Sequence, residues 1–293
     1  MELLRALGVL CEPPAPGHAA VAEALGLPPV ADESEYADLF LFQLYPYASV
    51  YVGPEGMLGG EARDRVAGFW RALRLAPPSE PDHLASLLGL YASLAEAERA
   101  EREPARRRLM LQARSALLWE HLLSWLPPYL TKLDELTSPL YRQWSSLLRA
   151  ALRAEADELD AEGPLPLHLR SAPALEPPGA VGATQFMDGL LAPVRSGMIL
   201  VRDDLARAAR EVGLGLRVAE RRFVLAALLE QDAAATLDWL AGEAARWARL
   251  HREGADGSDV IAAFWADRAG RTALLLRTEA EAVAEALEGE RVE

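Results

Sequence analysis

Asp82, His83 and His121 are the side chains whose types could move a proton or hold a metal ion. An imidazole titrates near neutrality, and imidazole and carboxylate are both ordinary metal ligands. The surrounding sequence offers no matching chemistry. There is no His-Glu-x-x-His pair, no Gly-x-Ser-x-Gly elbow, no Walker loop and no dinucleotide-binding glycine pattern. Histidines on separate helices more often pack or cap, and for His121, four residues before Trp125, a cap or an interhelical hydrogen bond is the expected role. A metal-dependent enzyme using His83 and His121 is therefore the weakest of the functional alternatives, and neither cofactor nor metal is expected.

The elements that must position these residues are helices. Alanine, leucine, arginine and glutamate dominate the chain, and all four are good helix formers. An apolar run from Glu33 to Tyr45 predicts a helix that Pro46 must stop, leaving Tyr45-Pro46-Tyr47-Ala48-Ser49-Val50-Tyr51 as an extended aromatic segment. The Gly-rich loop from Val52 to Gly60 lacks the lysine and the preceding strand of a phosphate cradle and reads as a connection. Glu61 to Leu75 is amphipathic, with Val66, Phe69, Trp70 and Leu73 on one face. Ser79 as N-cap and Pro81 in the first turn predict a helix to about Arg102, which would place Asp82 and His83 in its first turn, where an aspartate complements the helix dipole. A further helix from Glu103 to Trp125 stops at Pro127-Pro128, a short one follows, and Ser138-Pro139 opens a long one to Leu159. Arg106-Arg107-Arg108 reads as a solvated helix face.

Taken in chain order, Tyr36-x-x-Leu39-Phe40, Pro46-Tyr47-x-Ser49-x-Tyr51, Pro81-Asp82-His83-Leu84 and His121-x-x-x-Trp125 form a pattern that resembles the TorD/DmsD/NarJ family of molybdoenzyme chaperones, over roughly Glu33 to Leu159. The resemblance implies an all-α helical bundle, here with an additional C-terminal helical region, and no enzymatic activity. It implies a cytoplasmic protein that holds the N-terminal twin-arginine signal peptide of a molybdopterin-containing oxidoreductase in its apo form until cofactor insertion. Tyr47, Asp82 and His83 match positions that the family uses in peptide recognition. Tyr47, Tyr51, Leu84 and Trp125 can supply an apolar and aromatic wall, with Ser49 and His121 completing the set. Asp82, helped by Glu35 or Asp38, can supply the carboxylate that an arginine needs. Two departures stand out: Leu87 and Leu88 occupy positions where the family often has an acidic residue, and Tyr47 stands where it often has tryptophan. A homodimer is compatible with the family, whose members include monomers, dimers and domain-swapped dimers. A helical adaptor or assembly subunit with no signal-peptide binding is the alternative reading.

Composition fits either reading. The 293 residues are 51% hydrophobic and 25% charged, which is ordinary for a folded protein. A formal charge of −14 disfavours nucleic acid and anionic lipid but suits a basic peptide. Cys11 is the single cysteine, so there is no internal disulfide and no thiolate metal cluster, and a reducing compartment is expected. Glu2 and Arg5 interrupt the apolar N-terminus, which reads as a short amphipathic helix, and no window has the length of a membrane span. A Pro- and Gly-rich stretch separates a domain at 1–160 from a helical extension at 184–293, with 161–183 as linker. The extension should carry helices over Thr184–Leu191, Arg202–Val212, Val218–Glu230, Ala233–His251 and Ser258–Leu287, the last with a break near Gly270. Trp239 and Trp247 are expected in its core, Arg195-Ser196-Gly197 could contact an anion, and Arg221-Arg222 are expected to form surface ion pairs.

Overall fold

The computed structural model describes residues 1–29, 33–136, 139–160, 163–216, 219–253 and 259–292, and they are all-α: among them no strand forms and Tyr47 and His83 make an isolated antiparallel bridge. The predicted helix starts at Ser138, Val218 and Ser258 lie outside the described residues. No helix among the described residues is long and apolar enough to cross a membrane. The chain divides into two compact units, one of residues 1–50 and 58–166, the other of 51–57 and 167–293.

The first unit comprises α1 (Glu2–Val9), α2 (His18–Ala24), α3 (Glu33–Tyr36), the start of α4 (Ala48–Val52), α5 (Gly60–Ala72), α6 (Leu84–Ala100), α7 (Pro104–Ala116), α8 (Leu126–Leu136) and α9 (Pro139–Leu159). Two π-helical turns extend α3 and α7, over Ala37–Gln43 and Leu117–Leu123. They replace the continuous α-helices expected as far as Tyr45 and Trp125. At the first, the Leu44 N–H reaches back five residues to the Leu39 carbonyl at 2.7 Å. Pro127 and Pro128 open α8, where a missing N–H costs nothing. Leu7, Leu87, Leu88, Leu117, Trp125 and Trp144 are fully buried in the core, and the Trp144 indole N–H donates to the Leu7 carbonyl at 2.9 Å. Arg106, Arg107 and Arg108 lie exposed on α7 as a solvated face.

A buried ionic cluster ties α6, α7 and α9. The Arg114 guanidinium donates to Glu98 at 2.9 Å, Glu155 at 2.7 Å, Glu158 at 3.0 Å and the Tyr91 hydroxyl at 3.0 Å. Burial alone would lower its pKa, but the hydrogen bonds to Tyr91, Glu158 and Glu155 outweigh that and hold it above the ordinary arginine value.

The second unit comprises α10 (Leu167–Arg170), α11 (Pro178–Val181), α12 (Ala183–Leu191), α13 (Pro193–Ser196), α14 (Arg202–Val212), α15 (Arg221–Gln231), α16 (Ala233–Glu253) and α17 (Val260–Val292), together with the end of α4. The longest pairing is α16 against α17, and α17 runs unbroken through Gly270, contrary to the break expected there. A glycine inside a helix costs only about 1 kcal/mol, which this packing offsets. Trp247 is fully buried, but Trp239 is not core. Eight residues rotate a helix by about 80° beyond two turns, which swings Trp239 to the rim. There it donates to Glu211 at 2.6 Å and carries the Arg207 guanidinium over its ring at 4.8 Å. Arg222 pairs with Asp188 at 2.6 Å, as expected of a surface arginine, whereas Arg221 donates to the Leu200 carbonyl at 2.6 Å.

His251 lies between Trp247 and Trp265 and donates from Nε2 to the Gly197 carbonyl at 2.9 Å. Burial pushes its pKa down to about 4, with Arg252 adding to the effect and the Gly197 hydrogen bond opposing it. His121 in the first unit is likewise pushed to about 4, by burial and then by the charge of Arg65. Unfolding returns each imidazole to an ordinary value near 6.5. As pH falls below that value the unfolded chain takes up protons that the folded chain refuses, so each histidine removes stability progressively down to about pH 4. The expected loss is about 3 kcal/mol per histidine across that window. Urea unfolding of wild type and a His121→Gln/His251→Gln variant at pH 7.5 and 4.5 measures it: the variant should lose markedly less stability, and equal losses would refute the assignment.

Candidate functional site

The segment after the first π-helical turn meets the segment before α6 through two backbone hydrogen bonds. The Ala48 N–H donates to the Asp82 carbonyl at 3.0 Å, and the Leu84 N–H donates to the Pro46 carbonyl at 2.8 Å. These bonds make the Tyr47–His83 bridge. The aromatic stretch is thus extended only as far as Tyr47, and from Ala48 it is helical as α4.

The helix expected from Ser79 instead begins at Leu84, with His83 as its N-cap and an extended backbone there. The reason is local. Pro81 disfavours helical backbone at Glu80, and the chain makes a turn there, with the His83 N–H donating to the Glu80 carbonyl at 3.3 Å, before His83 can cap. Its Nδ1 accepts from the Ala85 N–H at 3.1 Å, which leaves the proton on Nε2. The ring meets Tyr47 edge-on, with centroids 4.8 Å apart, and is 7% exposed. Burial lowers its pKa, against the opposing pull of Glu80, Glu12 and Asp82, so the neutral form is favoured.

Asp82 is not in the first turn of α6 either. It is 1% exposed, and its Oδ2 accepts from the Ser49 N–H at 3.1 Å, capping α4. Ser49 is itself fully buried and its Oγ accepts from the Gly59 N–H at 3.2 Å. Two of the expected site residues therefore hold the local backbone together. Leu84 and Trp125 are fully buried in the first unit, and Tyr51 is 1% exposed and groups with the second unit. His121 packs on Phe69 with ring centroids 4.9 Å apart, and its backbone carbonyl accepts from the Trp125 indole N–H at 2.8 Å. The structure thus brings Tyr47, Ser49, Asp82, His83 and Leu84 together, and places His121 and Trp125 at the second π-helical turn.

Tyr47 is half-buried, and its pKa is raised first by burial and then by a hydrogen bond to the Glu80 carboxylate. Glu80 and Glu12 are exposed, and both act electrostatically on His83 and on Tyr36. Glu35 bears on Tyr141. Sequence reasoning missed Glu80 and Glu12. Pro81 was a readable signal for a non-helical Glu80, whereas nothing local in the sequence ties Glu12 to His83. Among the described residues no group of three or more His, Cys, Asp or Glu could hold a metal ion. The face around the bridge is thus aromatic, acidic at its rim and provided with the His83 Nε2–H, an arrangement that can take an extended chain bearing positive charge.

Residues 21–131 match the nitrate reductase delta subunit family, a span that holds the residues of this site other than Glu12. The chain is also 32% identical over 127 residues to the chaperone protein TorD of Vibrio cholerae serotype O1, in both the O395 and the M66-2 strain. Over this part of its length the chain is similar to that family and to these chaperones. The match covers 41% of this chain and 56% of the TorD chaperones' length, so it spans little more than half of these relatives. No solved structure matches the chain.

Proposed function

We propose that this protein is a redox-enzyme maturation chaperone of the cytoplasm that binds the N-terminal twin-arginine signal peptide of a molybdopterin oxidoreductase and holds the apoenzyme until its cofactor is inserted. In this reading residues 1–160 form the chaperone domain, 161–183 the linker and 184–293 an extension, and the protein works by binding rather than by catalysis. The observation that carries the proposal is the Tyr47–His83 bridge with Glu80 bonded to Tyr47 and Glu12 acting on His83. The exposed carboxylates of Glu80 and Glu12 take the arginine pair, the Tyr47 ring packs on the apolar segment that follows, and the His83 Nε2–H donates to a peptide carbonyl. Asp82 acts indirectly, since its carboxylate is committed to the cap of α4.

Calorimetric titration with a synthetic twin-arginine peptide tests this division of labour. Glu12→Gln/Glu80→Gln should weaken binding at least tenfold with stability unchanged, because exposed carboxylates contribute little to folding. Asp82→Ala should instead cost about 1 kcal/mol of stability through loss of the cap. A wild-type protein that ignores the peptide would refute the chaperone reading. Equal affinity in wild type and the double variant would move the site elsewhere.

A further inference from the structure

Arg195 and Arg268 of the second unit both contact the 172–175 segment, and the charge of Arg195 acts on Arg268. The Arg268 Nη2 donates to the Ala172 carbonyl at 2.6 Å, while three residues on the Leu175 N–H donates to the Arg195 carbonyl at 3.2 Å, so one strand of chain bridges the two arginines. Gly197, two residues after Arg195, lies so close to α17 that a Cβ there would meet the Ala269 nitrogen at 2.2 Å and the Arg268 carbonyl carbon at 2.7 Å. Gly189 lies against Arg195 on the other side, where a Cβ would stand 3.4 Å from its Cζ.

Neither guanidinium is paired with a carboxylate among the described residues. The nearest acid named by its effect on Arg268 is Asp267, which already pairs with Arg271 at 2.9 Å. The Arg195 Nε and the Arg268 Nη1 are buried and have no hydrogen-bond partner. Phe264 lies 5.0 Å beneath the Arg268 guanidinium, which fixes the plane of the fork and leaves its edge for in-plane acceptors. The charge of Arg195 and that of Arg271 add to burial in lowering the Arg268 pKa, so the pair is electrostatically unfavourable as it stands.

We propose that Arg195 and Arg268 form a binding site for a phosphate-type oxyanion. A doubly charged tetrahedral anion neutralises both guanidiniums at once and presents enough oxygens for two forks, whereas a single carboxylate would leave one positive charge uncompensated. Both arginines keep part of their surface exposed, so such a group can approach from solvent. The site lies in the second unit and is independent of the chaperone reading.

Titration of the full chain with inorganic phosphate, at ionic strength held constant with chloride, tests the proposal by calorimetry. Wild type should show saturable binding, and Arg195→Gln and Arg268→Gln should each weaken it at least tenfold. Circular dichroism identifies a variant that has failed to fold, and in that event the other variant decides. Absence of saturable binding to wild type, or unchanged affinity in the folded variants, would overturn the site. A phosphomonoester and a free phosphate of equal charge, compared in the same titration, distinguish an organic ligand from the inorganic ion, since a built subsite for an ester should favour the ester.

Discussion

Replacing Arg114 by leucine should cost the first unit about 3–5 kcal/mol, because it strands carboxylates that the fold has taken out of water. The arginine side chain is 2% exposed and bridges Glu98, Glu155 and Glu158, of which Glu98 is 9% and Glu155 13% exposed. Removing the cation leaves Glu155 partly desolvated and Glu98 with only the exposed Arg107 at 3.9 Å to compensate it, and removes the donor to the Tyr91 hydroxyl as well. Glu155 also accepts from that hydroxyl at 2.7 Å, so one loss propagates through the network. Denaturant unfolding of the single variant gives the magnitude, and a second variant gives the cause. If desolvated carboxylates carry the penalty, Arg114→Leu/Glu98→Gln/Glu155→Gln should recover a large part of it. Failure of the triple variant to recover stability would place the cost in lost packing of the arginine stem instead.

This cluster was invisible in the sequence, and the reason is general. Glu98, Arg114, Glu155 and Glu158 lie on three helices, and each reads alone as a polar residue on an amphipathic surface. Periodicity says which face of a helix is apolar, but not which polar residue at the edge of that face is drawn inward by its neighbours. The helices themselves were legible, because a spacing such as that of Leu140, Trp144 and Leu148 fixes a buried stripe. Both π-helical turns escaped, since one extra residue in a turn leaves the apolar pattern almost unchanged.

The candidate site divides along the same line. Tyr47, Asp82, His83 and Leu84 were legible as a group, because two proline-marked segments flank helices that must start and stop there. Their division of labour was not. An aspartate before a helix is an ordinary cap for that helix, and here Asp82 caps α4 from across the bridge. The role of cap for α6 fell to His83, an uncommon N-cap residue. With Asp82 committed to the backbone, the acidic rim had to come from Glu80 and Glu12, one just ahead of the turn at Pro81 and the other from the chain that follows α1, nearly seventy residues away in sequence.

Gly197→Ala should destabilise the second unit by several kcal/mol, enough to lower the yield of folded protein. Gly197 follows α13 with φ at +76°, a left-handed conformation that costs an alanine about 1 kcal/mol by itself. The larger part is steric. The added Cβ would lie 2.2 Å from the Ala269 nitrogen and 2.7 Å from its Cα, and these are backbone atoms of a continuous helix that cannot rotate away. Moving α17 to make room would disturb its packing on α16, where Trp247, His251 and Trp265 are stacked, and would strain the hydrogen bond from His251 to the Gly197 carbonyl. Gly213 supplies the contrast within the same unit. It ends α14 with φ at +77° but has open space around its Cβ position, so Gly213→Ala should cost only about 1 kcal/mol, the conformational part alone. Parallel denaturant unfolding of the two variants separates strain from collision. A Gly197→Ala protein no less stable than Gly213→Ala would mean that α13 does not seat against α17 as described.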